Sequence, residues 1–167
     1  MDGAGDVAGM KSLKVTGQGM DKVMADLAKL AKTDVLVGFP EGAPRADAEG
    51  QTNAQLAYIH DNGAPERNIP ARPFMQPAMD ECKEALGDKA GQMLNAINQG
   101  RDVVDQGLHQ IGLIASTSIK EKINSNIPPE LSDRTIEERQ ARGVTRTNTL
   151  VDTGAMRNAA TYVIRNK

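Results

Sequence analysis

Two histidines, one cysteine and a few clusters of acids and arginines are the groups in this chain that could do chemistry. His60 and His109 fall on different predicted helices. His60 is followed directly by Asp61, but neighbours on a helix point about 100° apart and rarely hold one metal ion. Cys82 stands alone, so it can build neither an intramolecular disulfide nor a Cys-based zinc site, and it reads as a small apolar residue on a helix face. Gly17-Gln18-Gly19 lacks the third glycine and the lysine of phosphate-cradling loops. Asp80, Glu81 and Glu84 could be paired for acid–base work. They fall on the first turns of a predicted helix, where the positive end of the helix dipole accounts for them. A Ser–His–Asp set has no fixed spacing and stays open. Arg134, Arg139, Arg142 and Arg146 suggest a phosphate tract, but Asp133, Glu137 and Glu138 interleave with them and leave a mixed solvated face. No metal or cofactor is expected, and catalysis is the minority reading.

Composition narrows the classes further. The chain has 167 residues with 22 acids against 20 bases, a net charge of −2. That balance argues against a dedicated DNA binder. Tyr58, Tyr162, Phe39 and Phe74 are the only aromatic residues, so the stacking platforms of single-strand binders are missing. The core must be aliphatic, with methionines as flexible gap-fillers. No stretch approaches the roughly 18 apolar residues of a membrane span. The opening MDGAGDVAGMK has neither the basic nor the apolar region of a signal peptide, and residues 1–10 read as a disordered lead-in to one domain spanning 11–167. A soluble protein of a reducing compartment is expected.

The elements that must position these groups follow from periodicity. Alternation predicts strands at 12–16, 34–39 and 160–165 in one small mixed or antiparallel sheet, with the C-terminal strand pairing to one of the others. Met20, Val23, Leu27 and Leu30 predict a helix over 20–32. Residues 40–51 are Pro, Gly, Ala and charge, a loop. Thr52 reads as the N-cap of a short helix stopped at Asn62-Gly63. Two long amphipathic helices are predicted at 78–98 and 102–125. Asn98-Gln99-Gly100 between them makes antiparallel neighbours. Gly107 and Gly112 weaken the second helix, and their expected role is to admit a close neighbour. The fold class is therefore α+β. Residues 126–152 carry few large apolar groups, so they are expected as a long polar arm, poorly ordered or extended from the body. Within it, Thr135 with Glu138 resembles a capping box. Trypsin should then cut first at Arg139, Arg142 or Arg146. Charge is split: residues 1–100 carry 14 acids and 10 bases, and residues 101–167 carry 8 and 10.

Three segments carry a resemblance. Leu56-Ala57-Tyr58-Ile59-His60-Asp61-Asn62-Gly63 is followed by Ile69-Pro70-Ala71-Arg72-Pro73-Phe74. Next come Pro128-Pro129-Glu130-Leu131-Ser132 with Thr135-Ile136 and Arg139. Last is Leu150-Val151-Asp152-Thr153-Gly154-Ala155-Met156-Arg157-Asn158. In order and spacing they resemble the tail-completion (neck) proteins of long-tailed bacteriophages, over about residues 35–165. Met156 replaces the usual leucine, Asn148-Thr149 stands where Lys-Pro is common, and Ala159-Ala160 where Ser-Ile is usual. The resemblance implies a non-enzymatic structural virion protein of the neck, assembled in the host cytoplasm. It would complete the head-proximal end of the tail and support head–tail joining. Its implied partners are the tail terminator, the tail tube, the head-side connector and further copies in a homo-oligomeric ring. DNA would pass through the lumen without specific binding, and no membrane is involved. A tail terminator or head–tail connector is the alternative within that class, and a phage-encoded enzyme the alternative outside it.

The residues expected to make protein contacts lie in these segments. Ile69, Pro70, Arg72, Pro73 and Phe74 form one group; Arg139, Arg142, Asp152, Thr153 and Arg157 form the other. Ile69 and Phe74 could equally tuck under the sheet. Arg72 is held between two prolines, so its guanidinium could be aimed at a partner's carboxylate with little loss of entropy. Arg157 is expected at the start of a short helix, where its charge opposes the dipole and suggests an acidic partner, outside the subunit or within it.

Overall fold

The structure, a computed structural model, describes residues 17–40 and 50–167. The expected lead-in, the strand at 12–16 and most of the 40–51 loop lie outside the described residues. The rest is α+β: α1 (Gly17–Ala31), β1 (Thr33–Gly38), α2 (Asn53–Asn62), a 3-10 turn (Pro65–Arg67), α3 (Met75–Asn98), α4 (Val104–Asn124), α5 (Asp133–Ala141), α6 (Ala155–Ala159) and β2 (Thr161–Asn166).

The helical hairpin α3–α4 is the scaffold. Its antiparallel register is fixed at both ends: Ser118 Oγ donates to the Ala78 carbonyl at 2.7 Å, and Gly107 lies against Met93. Two apolar clusters run along it. One gathers Phe74, Ala78, Ile119, Ile123, Leu150, Val151 and Met156; the other gathers Met93, Ile97, Val104 and Leu108. The predicted stripe of α4 is buried nearly throughout, and Cys82 is buried as expected.

β1 and β2 pair antiparallel, Val35 opposite Ile164 and Leu36 opposite Val163. A two-stranded ribbon is marginal alone. This one is held because Val35 and Ile164 pack on the second cluster and the Tyr162 ring crosses α4 at Gly112. Any Cβ at Gly112 would overlap that ring, which accounts for a glycine inside a helix. The outer pair, Leu36 and Val163, stays exposed. Helix α1 divides its predicted stripe: Val23 and Leu30 pack on the second cluster, while Met20 and Leu27 face solvent, as does the neighbouring Met24.

Three expectations are corrected. Helix α3 begins at Met75, so Asp80, Glu81 and Glu84 lie beyond its first turn. They are not there to satisfy the dipole: Gln76 donates to Asp80, and Glu81 pairs with Lys122 of α4. Helix α5 begins one turn before the expected capping box, with Ser132 as N-cap; the Thr135 amide donates to its hydroxyl at 3.3 Å. Most consequentially, residues 126–152 do not extend away. Ile127, Leu150 and Val151 enter the first cluster, and Arg139 and Thr149 are buried with them. The tally of apolar side chains undervalued this segment because polar groups hold it.

Candidate functional site

The holding groups are two buried arginines. Arg72 is 5% exposed; its Nε donates to the Pro129 carbonyl at 2.9 Å and its Nη2 to the Glu130 carbonyl at 3.3 Å. Arg139, 6% exposed, donates from Nη1 to the carbonyls of Arg146, Asn148 and Val151 and from Nη2 to that of Thr149. A planar fork of five donors suits this task, since one guanidinium can satisfy several carbonyls of an irregular loop at once. Thr149 completes the closure: its hydroxyl donates to the Ile127 carbonyl at 2.9 Å, and its amide donates to Asn126 Oδ1 at 3.0 Å.

Both guanidiniums stand below the ordinary arginine pKa. Burial is the main cause for each, and at Arg72 the positive charge of Arg139 adds to it. At Arg139 the carboxylate of Asp152 opposes the shift and Arg142 reinforces it. Asp152 pairs closely with Arg142, Nη2 to Oδ2 at 2.9 Å, while its Oδ1 lies 3.9 Å from Arg139 Nε. That Oδ1 is buried and accepts no hydrogen bond among the described residues.

The segment leading into α3 is built with equal care. The Asp61 carboxylate, at the end of α2, accepts the amides of Phe74 and Met75 at 2.7 and 3.0 Å and so caps the next helix. Gly63, at φ 78°, sits so close to Ala71 that a Cβ would lie 2.7 Å from the Ala71 nitrogen. The Arg72 amide donates to the His60 carbonyl at 2.7 Å. Phe74 is wholly buried, edge-on to Phe39 at a centroid separation of 6.0 Å. It anchors the first cluster, against which Val37 of β1 and Phe39 also pack, so it lies under the sheet as well as between the helices.

Together these segments line an open cavity of about 540 Å³, walled by Leu56, Ile69, Leu131, Leu150 and Met156 with Arg72, Arg139, Arg142 and Asp152. Of the residues expected to make contacts, Ile69, Pro70, Arg72, Arg139, Arg142, Asp152 and Thr153 line it. Pro73 is exposed beside it, and Phe74 lies in the core behind. Arg72 and Arg139 are thus members of the chain's own fold. Arg157 stands apart, half-buried in the last turn of α6, where its charge suits the dipole instead of opposing it. It donates to Asn124 and Asn158 within the chain, so the argument for an outside partner from its helix position falls away. Sequence reasoning missed Asp61 as a cap, and Leu131 and Met156 as cavity walls. The signal for the cap was an acid just before a helix stop, thirteen residues ahead of the helix it serves.

No family model, no curated protein and no solved structure matches this chain. Among the described residues, no three His, Cys, Asp or Glu side chains cluster as metal ligands would. No helix among them is long and apolar enough to cross a membrane.

Proposed function

We propose that this chain is a structural protein of a bacteriophage neck that completes the head-proximal end of the tail and supports head–tail joining. One observation carries the reading. The three segments of the resemblance, about 56–74, 128–139 and 150–158, are separate in sequence yet interlock around one cavity. Arg72 grips 129–130, and Arg139 grips 151. Motifs that share order and spacing make sense together if they are parts of one rigid unit. Exposed apolar side chains add support: Met20, Met24 and Leu27 on one face of α1, Leu36 and Val163 on the outer sheet, and Leu113 on α4. Such groups suit burial against neighbours. In this reading the chain acts without catalysis or cofactor, as one copy in a closed ring between tail and head proteins. Electron microscopy of particles assembled without it is the test. Free heads beside finished tails that fail to join are expected; normal virions would contradict the role.

A further inference from the structure

The cavity holds more positive charge than its walls neutralise. Arg142 is committed to Asp152 Oδ2, and Arg139 to four main-chain carbonyls. Arg72 has no carboxylate partner among the described residues, and its Nη1 makes no hydrogen bond with them, although the residue is 5% exposed. Buried charges are ordinarily paired, so a nearly buried cation beside an open cavity is a place for an anion.

We propose that this cavity is a docking pocket for an extended acidic segment of a partner protein. A carboxylate of that segment accepts from Arg72, and its aliphatic and main-chain atoms lie against the apolar wall. The proposal rests on the reading that the chain works through protein contacts, and it specifies the chemistry of one of them. Two features favour a peptide over a phosphate or a nucleic acid. The acids Asp152 and Glu130 on the wall repel a dianion more than a single carboxylate, and Leu56, Ile69, Leu131 and Met156 supply apolar surface that a bare anion would leave uncovered. The volume, about 540 Å³, lies in the range of clefts that hold small ligands.

The test uses isotope-labelled full-length chain and N-acetyl-aspartate N-methylamide, the smallest probe carrying both a carboxylate and a peptide main chain. Saturable NMR shifts are expected at Arg72 Nε, Leu131 and Thr153. The asparagine analogue should bind about tenfold more weakly, the weight of one charge-assisted contact. Ala155→Trp places bulk in the cavity wall without removing any side-chain hydrogen bond, and should abolish the shifts. Arg72→Gln should do the same if circular dichroism shows it folded, and Ala155→Trp decides if it is not. Equal binding of the two probes, shifts that survive Ala155→Trp, or tighter binding of inorganic phosphate or a short DNA duplex would each overturn the proposal. If the probe fails while head–tail joining depends on the protein, the pocket is refuted and the neck reading stands; binding with normal virions in its absence refutes the neck reading alone.

Discussion

Along α4, Val104, Leu108, Ala115, Ile119 and Ile123 are buried at spacings of four, seven, four and four. Between residues 126 and 152, only Ile127, Leu150 and Val151 bring large apolar groups into the core. The hairpin is held by area removed from water, whereas the segment beside it is held by guanidinium groups that satisfy main-chain carbonyls. Area is tolerant: it accumulates over many contacts, and no single hydrogen bond decides it. The arginine clamps are the reverse. Arg139 alone serves four carbonyls of residues 146–151, so its loss orphans all of them together.

The contrast can be broken by mutation. Ile119→Ala should cost about 2–5 kcal/mol, because Ile119 is wholly buried and the hairpin around it cannot collapse fully. The loss should be global, with α4 and residues 126–152 unfolding in one transition in urea. Arg139→Ala should cost about 3 kcal/mol, an amount set by charged hydrogen bonds rather than by area. Its damage should be confined: trypsin should cut at Arg142 and Arg146 far faster than in the wild type, while the helical signal of α3–α4 stays. A global collapse of the Arg139 variant would erase the distinction between the two regions.

The smallest effect concerns an exposed ion pair that links α1 to the first turn of α4. Lys29 Nζ lies 2.7 Å from Asp105 Oδ2 at the start of α4, and this hydrogen bond raises the Lys29 pKa above its ordinary value. A raised folded-state pKa means the contribution is present below the unfolded lysine value, about 10.4, and is lost as pH rises through the folded one. Asp105→Asn should therefore lower Tm slightly at neutral pH and leave it unchanged in strong alkali. An equal difference at both extremes would show that the pair's charge is irrelevant.

The two regions also differ in what their residues announce. Helices α3 and α4 were legible because their apolar residues recur every three or four positions, and burial follows that period. Gly112 was legible as a place of close approach, though not that Tyr162 would fill it. The fold of 126–152 was illegible because its decisive bonds link an arginine side chain to carbonyls, and carbonyls belong to every residue. Nothing in the residue types at 146, 148, 149 and 151 marks them as acceptors for Arg139. The cavity shared this fate. Its residues were singled out one by one, from the proline-flanked Arg72 and the Asp152-Thr153 turn, but as surface contacts. Burial of Arg72 and Arg139 depends on segments more than fifty residues apart for the first and on loop closure for the second.

Native-state hydrogen exchange on the full-length chain tests most directly whether residues 126–152 are locked onto the body. The amides of Val144, Thr149 and Val151 donate to the Arg139 carbonyl, Asn126 Oδ1 and the Asn148 carbonyl. They should exchange slowly in the wild type and should lose that protection in Arg139→Ala, while the amides of α4 keep theirs. Exchange of all three at unprotected rates in the wild type, beside a well-protected hairpin, would show a free arm and contradict the account.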